Sequence, residues 1–413
     1  MGTTAPSQAS PNVFRRVFKA FHYRDFRLMF IGACISSIGT WMQNLAQAWL
    51  VLEISKSPFY LGLDAFLAGI PIFFFSLIGG VVADRVERRK VLLMSQYIQM
   101  TSAFVLTVLL ILNAVHIWEI LFLSFVVGLA QSFGGPAYSA LIPTLVSKED
   151  MPNAIALNSI QFNVARVLGP AIGGLALNNL GAVWCFGLNG LSFLAPVVSL
   201  TILTTRYLPE KTTESMLASM KKGFKFIRHQ GAMEGLVALG FCVTALAIPM
   251  TTFLPWFAKE VFKSGPGTFT AFLCASGGGA VVGALGVAFI GNISRKGQLA
   301  LTMLVVLGIC ISGFALSKSV AMSCVLLFLS GISLMAVFTQ VLSLVQLITA
   351  NEMRGRVISI YNAAFRGGMP MGNLLTGWLV PMFTAPLVLA VNGLLLVLLG
   401  LYFLIVERKV AAL

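Results

Sequence analysis

The sequence predicts an all-α polytopic membrane protein, and three observations carry that prediction. Apolar runs near the length of a bilayer-crossing helix recur about twelve times between short polar breaks. Only 10% of the 413 residues are charged while 58% are hydrophobic, too few polar side chains to clothe a water-soluble domain, in which roughly 25% are charged. The runs are also continuous, as from Phe66 to Val82 and from Leu299 to Ala315. Barrel strands would alternate with period two, so the backbone is satisfied within helices.

Taken in order, residues 1–26 are polar and basic with no apolar core, so no cleaved signal peptide is expected and the first run serves as the insertion signal. Spans follow at 27–50 and 59–83, ended by the charged break Asp84 to Lys90, then at 91–113, 117–141, 154–178 and 182–205. The longest polar connection, 207–232, divides the chain. Beyond it lie spans at 233–257, 267–291, 298–316, 319–347, 355–380 and 383–406, with a tail at 407–413. The expected organisation is a six-helix bundle over 27–206, an inter-bundle linker, and a second six-helix bundle over 233–406.

Charge tests this layout. The net charge is +14, but the basic residues sit at the ends of apolar runs rather than along an aromatic-lined groove, so anionic lipid rather than nucleic acid is the expected partner. With the N-terminus inside, 22 of the 28 basic residues fall on the cytoplasmic side; Lys56, Lys259, Lys263 and Lys318 fall on the other, and Arg166 and Arg366 lie inside spans. A miscounted span would scramble that alternation. Both termini are therefore expected in the cytoplasm.

The halves echo each other. Arg166, Gly169 and Pro170 open "RVLGPAIGG", and Arg366 and Pro370 open "RGGMPMGN" with the same Arg-to-Pro spacing. "SKSP" before the second span has a counterpart in "FKSGP" before the eighth. Internal repeats with a site at their interface are the usual build of secondary transporters.

Several residues carry the chemistry. An intramembrane cation is costly unless paired or wetted, which singles out Arg166 and Arg366, with structural bonding, contact to an anionic substrate and snorkelling as the open readings. Gly169, Pro170 and Pro370 are read as packing or hinge positions. In span one, Thr40, Gln43, Asn44 and Gln47 recur at helical spacing and mark an inward face, beside Trp41. Phe66, Gln96, Gln99, Gln131, Tyr138, Asn158, Gln161, Gln340, Tyr361 and Asn362 extend the candidate cavity lining, with interhelical bonding as the rival role for each glutamine. Acids within spans are scarce, and Asp64 is the candidate for proton coupling. The six cysteines lie in apolar runs without a CxxC pair, and the three histidines lie outside the spans. With no HExxH, P-loop or nucleophile elbow, neither a metal, a cofactor nor an enzyme is expected.

The stretch "GVVADRVERRK" resembles the motif between the second and third spans of the major facilitator superfamily, of the form G-x-L-A-D-R-x-G-R-R/K. Gly80, Asp84, Arg85, Arg88 and Arg89 match it, whereas Val82 and Glu87 depart from it. The corresponding "GVAFIGNISRKG" keeps Gly286, Arg295 and Lys296 but lacks the acid. The opening "YRDFRLMFIGACISSIGTWMQNLAQAWLVLEISKSPFYLGL" and "MRGRVISI" before span eleven are similar to the enterobactin-exporter and multidrug-efflux branch, and Gly169, Pro170, Gly173 and Gly174 to the superfamily's antiporter motif.

This resemblance implies twelve helices in two pseudo-symmetric bundles that rock about a central cavity in a prokaryotic inner membrane. It implies gating by the Asp84–Arg89 cluster together with Arg166, Gly169, Pro170, Arg366 and Pro370. It further implies a monomer that exports a hydrophobic or amphipathic small molecule in exchange for protons. A dedicated siderophore exporter is the nearest alternative, and a lipid-handling or non-transporting protein on the same fold is the rival from another class.

Overall fold

A computed structural model describes residues 18–204, 225–228, 231–291, 295–350 and 353–413, all helix and connections with no strand among them. Residues 1–17 and most of the 207–232 connection lie outside the described residues. The helices are α1 Arg24–Ser55, α2 Pro58–Arg85, α3 Arg88–Ile111, α4 Ile117–Leu141 and α5 Met151–Asn179. The sixth span is broken at Phe193 into α6 Ala182–Ser192 and α7 Leu194–Ile202. After them come α8 Gly231–Thr252, α9 Pro266–Ile290, α10 Lys296–Leu316, α11 Val320–Ile348, α12 Arg354–Leu379 and α13 Ala385–Leu401.

Local chemistry sets these ends. Proline in the first turn starts α2, α5, α9 and α13, where its fixed φ suits a helix and its missing N–H costs nothing. His116 and Glu119 form a capping box on α4, and the Ser319 and Thr384 side chains cap α11 and α13. α1 stops where Lys56 turns left-handed, at φ 51°, its N–H still reaching the Leu52 carbonyl. Asp84 lies in the last turn of α2 rather than just past it, because the helix runs on to Arg85.

Ten helical stretches among the described residues are long and apolar enough to cross a membrane. α1 and α12 are long enough, at 32 and 26 residues, but more polar. Both bring their polar faces to the central cavity described below.

Packing repeats along the chain. α2 pairs with α4, α3 with α4 and α6, and α1 with α5 and the α6–α7 span. Six spans later α9 pairs with α11, α10 with α11 and α13, and α8 with α12 and α13. Two further pairings, α2 with α12 and α5 with α9, tie the halves together.

In hydrocarbon no hydrophobic drive separates helix from lipid, so association depends on close approach. An added Cβ at Gly62 of α2 would lie 2.9 Å from the Cα of Gly377 of α12, and one at Gly174 of α5 would run into the Thr270 side chain of α9. Gly62 and Gly377 let the halves touch backbone to backbone, and Gly174 lets the Thr270 side chain seat against the α5 backbone.

Candidate functional site

Both inter-half contacts lie at one end of the bundle. Gly62 is in the first turns of α2 and Gly377 in the last turn of α12; Thr270 is in the first turns of α9 and Gly174 is near the end of α5. The contacts continue to mid-helix, where Gly69 abuts Pro370 and Gly277 abuts Val167. Trp49 adds to the seal by stacking on Phe269 with ring centroids 6.3 Å apart, and the Lys259 ammonium lies 5.8 Å from the Trp49 ring. Beyond mid-helix the halves part around a cavity of about 890 Å³ that reaches Met29 near the start of α1 and Asp84 at the end of α2.

All but four of the lining residues come from the first half; the exceptions are Ser359, Asn362, Ala363 and Arg366 of α12. Of the residues expected to line it, Thr40, Trp41, Gln96, Gln99, Gln131, Tyr138, Asn158, Gln161 and Asn362 do so, as do Gly80 and Asp84. Many of these are already engaged. The Gln131 amide donates to Gln99 Oε1 at 3.0 Å, Gln99 donates to Ser95 Oγ at 3.1 Å, the Tyr138 hydroxyl donates to Asn158 Oδ1 at 2.6 Å, and Gln161 donates to the Ala33 carbonyl at 3.2 Å. Gln96 Oε1 is buried without a hydrogen-bond partner among the described residues.

Six expected lining residues lie off the cavity. Asn189 donates to Gln43 Oε1 at 2.6 Å, and Gln47 is committed to Asp64 and Ser124. Asn44 is exposed elsewhere on α1, and Phe66 is half-buried on α2. Gln340 is buried, and the Tyr361 ring is packed beside Gly240 and Phe365. For Gln43 and Gln47, interhelical bonding rather than cavity lining is what the structure shows.

Asp64 is held within the first half. Gln47 Nε2 donates to both carboxylate oxygens, at 3.2 and 3.0 Å, and Ser124 Oγ contacts Oδ1. The same Ser124 oxygen lies 2.9 Å from the Ile120 carbonyl. This arrangement suits either protonation state. A charged Asp64 accepts the Ser124 proton, while a neutral Asp64 donates to Ser124, which then turns its proton to Ile120. Sequence reasoning misses Ser124: a serine in an apolar run carries no pattern, because its hydroxyl is satisfied by its own helix as easily as by a neighbour.

The two intramembrane arginines sit at the middles of α5 and α12 and have different surroundings. The Arg166 guanidinium lies 5.9 Å from the Trp41 ring, whose other neighbour is Phe162 at 6.0 Å. Arg366 projects into the cavity with no hydrogen bond or ion pair to any described residue.

At the open end, Arg88 is buried. It lies 3.5 Å from Asp84 and donates to the carbonyls of Ala83 at 3.2 Å and Ala140 at 2.9 Å. Arg89 reaches the carbonyls of Leu203 and Thr201, and Arg85 is exposed. Nearby, Lys19 pairs with Asp150 at 3.1 Å, and the Tyr23 hydroxyl donates to the same carboxylate at 3.0 Å. These two partners hold the Asp150 carboxyl below the usual aspartate range. Among the described residues no cluster of His, Cys, Asp and Glu has the makings of a metal site.

Comparison with known proteins accords with this geometry. Residues 16–411 match the family described as transmembrane secretion effector. The chain is 27% identical over 385 residues to the enterobactin exporter EntS of Salmonella choleraesuis (strain SC-B67), covering 92% of each chain. It is equally similar to that of Escherichia coli O1:K1 / APEC, covering 92% of this chain and 91% of the relative. Among solved structures it resembles a point mutant of the nucleoside transporter NupG, with a TM-score of 0.76 at 14% identity over 92% of this chain and 98% of that one. It also resembles the POT family transporter PepTSo, with a TM-score of 0.74 at 12% identity over 94% and 98%.

Proposed function

We propose that this chain, which belongs to the transmembrane secretion effector family of the major facilitator superfamily, carries a hydrophobic or amphipathic small molecule outward by proton antiport. It is a secondary-active, alternating-access transporter and not an enzyme. The similarity to enterobactin exporters supports the outward direction, and the observation that carries the amphipathic reading is the cavity. It is large enough for a drug-sized molecule, lined by both aromatic rings and amides, sealed at one end by α2–α12 and α5–α9, and open at the end where Asp84 and Arg88 lie.

The charge bias of the loops supports a cytoplasmic position for that open end and for both termini, and the similarity to bacterial exporters supports a prokaryotic inner membrane. Twelve crossings in two six-helix bundles, divided at 207–232, account for the recurrence of the helix pairings six spans apart. Substrate enters from the cytoplasm, the bundles rock, and the Gly62–Gly377 and Gly174–Thr270 contacts separate to release it outside. The Asp84–Arg89 cluster, Gly80, Arg166, Gly169, Pro170, Arg366 and Pro370 lie where this motion must be absorbed.

Asp64 is assigned the proton. Its two-state hydrogen bonding with Gln47 and Ser124 lets it be charged or neutral without leaving a buried group unpaired. It lies two residues from Gly62, toward the sealed end, so opening that seal is what would expose it to the outside. Dedicated siderophore export is the second reading, favoured by the similarity to enterobactin exporters over nearly the whole chain.

Efflux from reconstituted vesicles across a panel of dyes, antibiotics and siderophores tests both readings. Proton antiport requires that an imposed pH gradient drive at least one substrate uphill; if no flux responds to the gradient, the antiport assignment is wrong. Movement of siderophores alone would select the second reading.

A further inference from the structure

Among the described residues the cavity is lined by two charged ones, and they differ in kind. Asp84 stands at its mouth beside Arg88. Arg366 stands at its deep end, halfway along α12, with no described counter-charge. The two cannot meet in this arrangement. Gly367 packs against the Phe73 ring of α2, and Asp84 is eleven residues beyond Phe73, about 16 Å along the helix.

The matching residue of the other half sharpens the contrast, since Arg166 is covered by the Trp41 face and does not line the cavity. Arg366 is the cation left facing the space that a substrate fills. Ser359, Asn362 and Arg366 form one stripe of donors down α12, spaced so that successive side chains share a helix face. Across from them, the first half presents Trp41 and Phe162 with their rings edge to face. While the cavity is wet, water hydrates the guanidinium; once the bundles close, that hydration is lost and an unpaired charge becomes costly.

We infer that the substrate of this cavity is an anion, an amphipathic molecule whose carboxylate, sulfonate or similar group is held by Arg366 while its ring system lies against Trp41 and Phe162. The inference rests on the transport reading and narrows it to one charge class. A planar guanidinium suits such groups because it presents two parallel donors, and the amide of Asn362 one turn away supplies a third. A cationic amphipath would meet the same uncompensated positive charge and be rejected.

The test uses full-length protein in detergent and three probes sharing one ring system: naphthoate, naphthamide and naphthylmethylammonium. Calorimetric titration should give naphthoate binding about tenfold or more tighter than naphthamide, with the ammonium weakest. Arg366→Gln should abolish the advantage of naphthoate over naphthamide, with a native-like circular dichroism spectrum and thermal unfolding profile showing that the variant is folded. Arg366→Lys should retain a preference for the anion.

Equal binding of the three probes by the native protein, a preference for the amide or the ammonium, or an anion preference that survives Arg366→Gln overturns the inference. Efflux of a neutral dye from vesicles is measured in parallel. Transport of that dye without any anion preference in binding refutes the charge class alone. An anion preference in binding with no transport of any compound refutes the transporter reading alone.

Discussion

At the scale of single residues, Asp64 and Asp150 show what a carboxylate does in two settings. Asp64 has hydrogen-bond partners arranged for both of its protonation states, so Asp64→Asn should preserve the cluster while removing the exchangeable proton. Exchange of labelled substrate across vesicles should then continue near the native rate, and uphill efflux driven by a pH gradient should vanish; undiminished uphill efflux would remove Asp64 from the coupling. Asp150 is instead held ionised by Lys19 and Tyr23. A depressed carboxyl contributes stability above its unfolded value, about 4, and loses it as the pH falls through the lower folded value. The hydrogen-exchange protection factor over Lys19–Tyr23, which removes the intrinsic pH dependence of exchange, should therefore hold constant from neutral pH down to mild acidity and fall only in strong acid, whereas Asp150→Asn should lower it at neutral pH. The sequence told some of these residues apart and not others. Arg166 and Arg366 stand out in any apolar run, but Gln43, Gln47 and Gln340 look like Gln96 and Gln131, because an amide bonded between helices and one facing a cavity leave the same mark in a one-dimensional pattern.

At the scale of elements, the α2–α12 and α5–α9 contacts are where the two states must differ. Replacing Gly62 or Gly377 with leucine inserts a side chain where the backbones nearly touch, and such overpacking costs about 1–3 kcal/mol. The cost falls on the sealed arrangement alone, so the population should shift about tenfold or more toward its opposite. Cysteine labelling near Trp49 and Phe269 would read that shift as faster modification from outside, and unchanged labelling would mean that the seal does not part there. Span positions were legible in the sequence to within a few residues, because apolar length fixes them. The break of the sixth span at Phe193 and the π turn at Phe257–Val261 were not. The aromatic contacts Phe257–Phe314 and Phe262–Phe272 that pack around that turn join residues far apart in the chain or on different helices, and no local period encodes them. The pairing of helices was legible only in outline, through the repeated Arg-to-Pro spacing.

For the whole molecule, the charge state of the cargo sets the energetics. Moving one elementary charge through a membrane potential is worth about 2.3 kcal/mol per 100 mV. An anion leaving as a proton enters moves two charges in the same electrical sense, whereas a neutral substrate moves one. Comparing the potential that halts net flux for naphthoate with that for naphthamide should therefore give about a twofold difference in charge carried per cycle, and equal values would argue against an anionic cargo.

A last consequence follows from how unevenly the two halves furnish the central chamber. Its walls belong almost wholly to the first two hundred residues, while the second half contributes one stripe from α12. If Arg366 anchors an anionic substrate as inferred above, the two halves divide the labour: one shapes what fits, the other supplies the electrostatic anchor. A chimera carrying the first half of an enterobactin exporter and the second half of this chain should inherit the size and shape preferences of the former while keeping this protein's choice of charge. Divergence in what such proteins recognise would then accumulate upstream of the connecting segment, leaving the downstream partner comparatively constrained.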